Sequence, residues 1–303
     1  MPQQPMAEVF GFTINDAHAE AVRHRQHRLC PFNNKVPNCT KDKAENPLGV
    51  CSVYHGDAIT ITCPIRFRQD WLIASDAAEF FFPPGTAWTS LTEIQLDDAY
   101  GKSAGNIDVV LVSYDAEGHL LDFGALEVQA VYISGNVRRP FEAYMKDPAA
   151  NTQLNWKGQR HYPRADFLSS SRKRLAPQLI YKGGILHSWR RKMAVAVDAA
   201  FFATLPDLPV TTAAEADVAW LVYDLVTSAQ DNRYHLTRTQ TVFTQFTPAL
   251  LKITSAEPGP VETFRKLLQR KLNEKQQGVA ATPTAQTLID LFSEGTGNVV
   301  EEE

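Results

Sequence analysis

Residues 107–133 read IDVVLVSYDAEGHLLDFGALEVQAVYI, and this stretch decides the fold. Residues 107–114 and 120–133 are rich in Val, Ile, Leu and aromatic side chains, as β-strands are. Residues 115–118, which end in glycine, separate them. The stretch therefore predicts a β-hairpin.

The hairpin carries two acids near its open end. Because strand side chains alternate, Glu127 and Gln129 share one face. If residues 116–117 form a two-residue turn, Asp108 lies opposite Ala125 and diagonal to Glu127, with backbones about 7–8 Å apart. Two carboxylates at this separation suit Mg²⁺, which prefers oxygen ligands and activates water for attack on phosphate. We expect Asp108 and Glu127 to hold magnesium and Gln129 to orient the water or the substrate.

Glu93, fifteen residues before Asp108, is the candidate for an additional outer ligand. The acid pattern alone leaves alternatives open. An Asp and a Glu on adjacent strands are also found on ordinary solvated faces, and paired carboxylates occur in glycosidases.

All the cysteines of the chain lie in one short segment, as Cys-x8-Cys-x11-Cys-x11-Cys: Cys30, Cys39, Cys51 and Cys63. Residues 29–64 are rich in Asn, Pro and Gly, which predicts irregular loops and short strands. In a cytoplasmic protein such clustering favours a metal site over disulfides, and four thiolates suit iron or zinc. Disulfides and buried free thiols are the alternatives. His24 and His27 are interpreted as polar surface residues.

The net charge of −4 hides a strong segregation. Residues 71–130 hold ten acids against Lys102, whereas residues 138–192 hold thirteen Lys and Arg against three acids. This order suits a cation site beside a groove for a polyanion, although two unrelated solvated surfaces would look the same. The candidate DNA contacts are Arg172, Lys173, Arg174, Lys182, Arg190 and Arg191.

The rest of the chain alternates between predicted helices and strands. A chain of 303 residues with 44% hydrophobic residues can bury a large core. Helices are predicted at residues 71–82, 140–145, 193–205, 261–275 and 282–292, and strands at 219–226 and 234–246. The mixture indicates an α/β or α+β architecture. The first thirty residues hold no apolar block typical of a signal peptide, and the apolar run 193–205 is too short for a bilayer, so we expect a cytoplasmic protein without a membrane span.

A longer string of residues resembles a known family. Residues 30–51, which include CPFNN at 30–34 and NPLGVC at 46–51, are similar to the NotI-like type II restriction endonuclease family. The likeness continues through residues 105–129 and into LSSSRKRLAPQL at 168–179 and KGG at 182–184. It covers roughly residues 28–192.

The resemblance implies a homodimeric nuclease with a PD-(D/E)xK-like core of mixed sheet flanked by helices, and an iron held by the four cysteines. The catalytic pattern of the family falls on Glu93, Asp108, Glu127 and Gln129. Two features depart from the motif: Asn106 and Ile107 stand where it has a proline, and Gln129 replaces its lysine. We expect each subunit to cut one strand of a palindrome, GC-rich because arginine pairs well with guanine, leaving 5′-phosphate and 3′-hydroxyl ends.

Three regions are predicted: a four-cysteine metal-binding and recognition region at 1–70, a nuclease core at 71–275 with the basic segment 138–192, and a C-terminal helix with an acidic tail at 276–303. The main alternative function is a metal-dependent, sequence-specific DNA-binding protein without catalysis. A rubredoxin-like electron carrier is the second, but it would need far fewer residues.

Overall fold

A computed structural model describes residues 3–43, 45–228 and 232–276. The strands are β1 Met6–Val9, β2 Phe12–Thr13, β3 Asp42–Lys43, β4 Asn46–Pro47, β5 Val50–His55, β6 Ala58–Ile61, β7 Trp88–Asp97, β8 Ser103–Tyr114, β9 Leu120–Gln129, β10 Tyr132–Ser134, β11 Arg164–Asp166, β12 Met193–Asp198, β13 Val218–Thr227 and β14 Tyr234–Thr244. The helices are α1 Ala19–His27, α2 Leu72–Phe81, α3 Arg138–Lys146, α4 Phe167–Ser170, α5 Ala176–Gln178, α6 Gly184–Ser188, α7 Ala199–Phe202, α8 Phe246–Thr254 and α9 Val261–Gln276. A 3₁₀ segment, Pro64–Trp71, precedes α2.

A six-stranded mixed sheet forms the centre, in the order β14-β13-β12-β9-β8-β7. Strand β12 runs parallel to both β9 and β13, and the outer pairs are antiparallel. The predicted hairpin is confirmed as β8 and β9, and the strands predicted at 219–226 and 234–246 are confirmed as β13 and β14. The chain is thus a mixed α/β protein.

The helix predicted at residues 193–205 is wrong. Met193–Asp198 is strand β12, completely buried between β9 and β13, and only the four-residue α7 follows it. A central strand covered on both faces has an unbroken apolar sequence, which a buried helix has too. The alternation that would distinguish the two is absent from such a strand.

Helices cover both faces of the sheet. On one face α2 packs Ile73 and Phe81 against Leu126 and Leu221. On the other face lies a continuous helical stretch, residues 167–188, which we call the basic helix. Its buried side chains, such as Leu179, pack with the sheet residues of that face. Two of its turns, Ser171–Leu175 and Leu179–Gly183, are π-helical.

The cysteine region is less irregular than predicted. It includes a four-stranded sheet in the order β2-β1-β5-β6, so Cys51 lies on a regular strand. The irregular part is residues 28–49, where the described residues pair in the two-residue strands β3 and β4 and in an isolated antiparallel bridge between Leu29 and Asn38. This sheet has its own apolar core, which includes Met6, Phe10 and Val53. The region therefore does not depend on a metal alone for its stability, because its sheet packs on an apolar core.

The described residues fall into two compact units, within Met1–Ser255 and within Ala256–Glu303. The second contains α9, which confirms the helix predicted at 261–275 and buries none of its side chains. The helix predicted at 282–292 lies outside the described residues. Within the described ranges, every helix falls short of the length and apolar character that a membrane span needs.

Candidate active site

The two predicted catalytic carboxylates come together on neighbouring strands. The β8–β9 register pairs Val109 with Leu126 and Val110 with Ala125, which brings Asp108 level with Glu127. The expectation that Asp108 lies opposite Ala125 is therefore wrong, and the acids are closer than diagonal neighbours.

The turn explains this difference in register. Five residues, 115–119, connect the strands. This longer turn is stabilised by Asp115, whose Oδ1 accepts hydrogen bonds from the backbone N–H groups of Glu117 and His119. An irregularity between Ser113 and Tyr114 shifts the pairing further. A two-residue turn at 116–117 does not form.

Glu127 is completely buried on the face of the sheet that the basic helix covers. Its Oε2 lies 2.6 Å from Nζ of Lys182, which also donates to the backbone oxygen of Asn106 at 2.8 Å. Burial, and then the negative charge of Asp108, raise the pKa of Glu127 to about 8, while the Lys182 ammonium opposes them. Oε1 of Glu127 is buried and has no hydrogen-bond partner among the described residues.

Asp108 and Gln129 flank this carboxylate. Asp108 is half-buried, and its Oδ2 accepts the N–H of Val128 at 2.8 Å, which fixes the side chain against β9. Gln129 shares the face of Glu127, and its Nε2 donates to the backbone oxygen of Ala130 at 2.7 Å. Among the described residues the amide oxygen of Gln129 has no hydrogen-bond partner, so it is available to a ligand.

Glu93 lies at the level of Asp108 on the neighbouring strand β7. Its φ of 59° is unusual for a residue inside a strand. Its carboxylate is exposed and pairs with Nζ of Lys35 at 3.3 Å. Glu93 is thus near in register, but its side chain is engaged with the cysteine region.

An open groove of about 780 Å³ starts at Gln129. One wall belongs to the cysteine region and includes Lys41 and Thr62, and the other belongs to the basic helix and includes Lys173 and Arg174. The groove therefore reaches the C-terminal end of β9, at Val128 and Gln129, between the two regions predicted to contact DNA, whereas Asp108 and Glu127 do not line it.

The predicted DNA-contacting side chains differ in their surroundings. Arg172, Lys173, Arg174 and Arg190 are exposed. Arg191 is half-buried, stacks on Phe123 and pairs with Asp122. Lys182 is buried at Glu127 and faces strands β8 and β9 instead of the surface.

The four cysteines line one small pocket, together with Phe10 and Phe32. All four are free thiols. Burial, with a smaller contribution from the nearby thiols of Cys63 and Cys39, raises the pKa of Cys30 to about 11, although the backbone N–H of Phe32 opposes the shift. Their sulfur atoms do not form a compact cluster, since only Asp115, Glu117 and His119 bring three potential ligand atoms within 4.8 Å of one another among the described residues. Those three lie in the exposed turn between β8 and β9, far from Glu127.

A family model for the restriction endonuclease NotI matches residues 8–236 of the 303. The chain belongs to the NotI restriction endonuclease family. Membership makes it a nuclease that cleaves DNA, and restriction endonucleases typically use a divalent metal. No curated protein that was compared with the chain matches it. The match spans the cysteine region, the β8–β9 hairpin, the basic helix and β12 to the start of β14, so it includes the groove and both of its walls.

Sequence reasoning predicted Lys182 as a DNA contact and missed its place beside Glu127. The two residues are 55 positions apart, so no local pattern connects them. The sequence held one signal of this contact. Lys182 is followed by Gly183 and Gly184, and glycines let a helix approach its neighbours closely.

Proposed function

We propose that the chain is a Mg²⁺-dependent type II restriction endonuclease that makes sequence-specific double-strand breaks and leaves 5′-phosphate and 3′-hydroxyl ends. One observation carries the proposal: the buried carboxylate of Glu127, with Oε1 unpartnered among the described residues, lies beside Asp108. A buried oxygen without a partner is costly, so such an atom marks a place for a ligand.

Asp108 and Glu127 would hold the Mg²⁺. Their oxygen atoms are the ligands that this ion prefers, and their like charges, close together and half or fully buried, favour a cation between them. When bound, Mg²⁺ lowers the pKa of a water ligand and offsets charge on the phosphate. Gln129 orients the water or the substrate through its amide oxygen, and Glu93 serves as an outer ligand.

DNA would lie along the groove, with Arg172, Lys173, Arg174, Arg190 and Arg191 contacting phosphates or bases. Arginine binds guanine through two hydrogen bonds, which favours a GC-rich target. Each subunit of a two-fold homodimer cuts one strand of a palindrome, because matching symmetry places one site on each strand.

The four cysteines would hold a structural iron or zinc. They line the same pocket, and Lys41 Nζ donates to the backbone oxygens of Val50 at 2.6 Å and Thr62 at 3.0 Å, so the segments carrying them are fixed beside the groove. Movement of the thiols toward a common centre on metal binding supplies a tetrahedral thiolate site.

Digestion of diverse genomic DNAs tests the function. With Mg²⁺ we expect discrete fragments, and sequencing of their ends gives the site and the stagger. A smear, or no cutting of any DNA, contradicts the proposal.

Glu127→Gln tests the site, with Glu117→Gln as the matched control on the same hairpin. Glu127→Gln and Asp108→Asn should each lower the cleavage rate by a factor on the order of 10³, because they remove a metal ligand. Glu117 lies in the exposed turn, and Glu117→Gln should cut at the wild-type rate. Full activity of either site variant contradicts the assignment.

A second function is supported by the same geometry. Oε2 of Glu127 is bound to Lys182 and Oδ2 of Asp108 to the N–H of Val128, so each carboxylate has one oxygen already engaged. A chain in which Lys182 permanently replaces the metal would be a sequence-specific DNA-binding protein without catalysis. It would retain one DNA sequence in Mg²⁺ and leave it uncut.

A further inference from the structure

Lys182 places a buried ammonium between the two catalytic strands. Nζ lies 2.6 Å from Oε2 of Glu127 on β9 and 2.8 Å from the backbone oxygen of Asn106 on β8. Only 5% of the Lys182 side chain is exposed. Because Asn106 is two residues before Asp108, the ammonium is anchored to both strands next to the pair of acids.

The basic helix is shaped to bring this ammonium in. Lys182 lies in the π-helical turn Leu179–Gly183, and such turns redirect side chains and often occur at functional sites. A Cβ added at Gly183 would lie 2.6 Å from Cε2 of Phe246, so only glycine lets the helix lie this close to α8. Gly105, which precedes Asn106 on β8, has a φ of +106°, a backbone conformation that favours glycine, and a Cβ added there would lie 4.0 Å from Cδ of Lys182.

Strand β9 itself offers no cation at the corresponding place. Gln129 is neutral, and its Nε2 is engaged with the backbone oxygen of Ala130. Glu127 nevertheless needs a counter-charge, since a buried carboxylate close to another acid is strongly disfavoured. The basic helix supplies that charge from a position 53 residues further along the chain than Gln129 (182 − 129).

We propose that Lys182 is a positioning residue for cleavage: it fixes Oε2 of Glu127 and so keeps Oε1 for the metal. The proposal rests on the nuclease function proposed above. It also assigns Lys182 a role other than DNA contact, because the buried Lys182 ammonium is out of reach of a phosphate.

Single-turnover cleavage at saturating Mg²⁺ tests the proposal with Lys182→Met and Lys182→Arg. Lys192→Met is the control, because Lys192 is half-buried, donates to the backbone oxygen of Phe80 and lies outside the site. We expect Lys182→Met to cut on the order of 10²-fold more slowly, the usual effect of losing one fixed charged donor. Lys182→Arg should recover about tenfold of that loss by keeping the ion pair, and the control should cut at the wild-type rate. DNA affinity in Ca²⁺ should stay close to wild type for all three. The melting temperature should fall for Lys182→Met, which leaves the buried Glu127 without its partner, and stay close to wild type for Lys182→Arg and the control.

Two results overturn the proposal. If Lys182→Met cuts at the wild-type rate once Mg²⁺ is saturating, Lys182 only occupies the place of the metal. If Lys182→Arg loses as much rate as Lys182→Met and both melt earlier, the residue is merely structural. If Lys182→Met does not fold, Lys182→Gln replaces it, and failure of both neutral variants to fold likewise makes the role structural.

Failure of the nuclease proposal is distinguishable in the same assay. It would leave the wild type without cleavage, whereas failure of the Lys182 proposal leaves the wild type active and Asp108→Asn inactive.

Discussion

Nε of Arg66 donates to both carboxylate oxygens of Glu8, at 3.0 and 3.1 Å, and both side chains are completely buried. Ser52 Oγ donates to Oε2 of the same carboxylate at 2.7 Å. The guanidinium also lies over the ring of Phe32, 4.3 Å from its centre, and donates to the backbone oxygen of Tyr234 on β14. One ion pair thus joins the cysteine region to the central sheet.

Removing one member of this pair should destabilise the protein strongly. Arg66→Met leaves the Glu8 carboxylate buried without its counter-charge, which costs about 3–5 kcal/mol. The double variant Glu8→Gln with Arg66→Met should lose less than the sum of the two single variants. Urea unfolding measures these differences. Arg265→Met, which breaks the exposed pair with Glu262, is the control and should leave stability nearly unchanged. An Arg66→Met variant as stable as wild type would contradict the coupling.

Asp198 should make stability depend on pH. Its carboxylate accepts the N–H groups of Ile61 at 2.9 Å and Phe201 at 3.0 Å, and burial raises its pKa to about 7. Since an unfolded Asp has a pKa near 3.9, the folded state binds the proton more tightly. Stability from this group is therefore greatest below about pH 4 and is lost as pH rises toward 7.

The measurement compares wild type with Asp198→Asn, which cannot titrate. Between pH 4 and 7 the unfolding free energy of the wild type should fall by on the order of 3 kcal/mol relative to that of Asp198→Asn. The exposed Asp57 provides the control, Asp57→Asn. A difference that stays constant over this range would show that Asp198 titrates normally.

Local patterns predicted the hairpin and the strands β13 and β14, whereas the edge strand β7 was not predicted, and the site depends on contacts that no local pattern contains. Alternating side chains place Glu127 and Gln129 on one face, whereas the register of Asp108 follows from hydrogen bonds to the Asp115 carboxylate in the turn. The placement of Lys182 depends on how the basic helix packs on a distant strand. Strand β12 was mistaken for a helix because both of its faces are buried, which removes its alternation.

The requirement for Mg²⁺ should fall as pH rises. Burial and the charge of Asp108 raise the pKa of Glu127 to about 8, so below pH 8 the metal must displace a proton. Apparent affinity for Mg²⁺ should rise up to about tenfold per pH unit between pH 6 and 8 and then level off. Calorimetric titration with Mg²⁺ without DNA measures this. Glu127→Gln removes the proton competition and should show a weaker affinity with little dependence on pH. A wild-type affinity that is constant from pH 6 to 8 would contradict the prediction.

Removal of one cysteine should release the proposed structural metal. Cys51→Ser replaces a buried thiol on strand β5, and a hydroxyl is a poor ligand for iron or zinc. Elemental analysis of the purified variant should show loss of the metal, together with a lower melting temperature. His27→Ala is the control, because His27 is exposed as predicted. The same prediction is wrong for His24, which is buried against Phe12. Carefully purified wild type without iron or zinc would refute the four-thiolate site.

The exposed cations of the basic helix should set the salt dependence of DNA binding. Each phosphate contact releases about one counterion, so Lys173→Ala and Arg174→Ala should each lower the slope of log affinity against log salt by about 1. Both residues line the groove. Arg238→Gln is the control, because Arg238 pairs with Asp76 and Glu79 of α2, on the opposite face of the sheet. Binding is measured in Ca²⁺ at several salt concentrations, on DNA with and without the cleavage site.

If Arg238→Gln lowers the slope as much as the two helix variants do, net charge rather than the groove governs binding. If only the helix variants lower it, and by the same amount on both DNAs, their side chains contact phosphates. A loss confined to the DNA with the cleavage site instead assigns that side chain to a base, since phosphate contacts carry no sequence information.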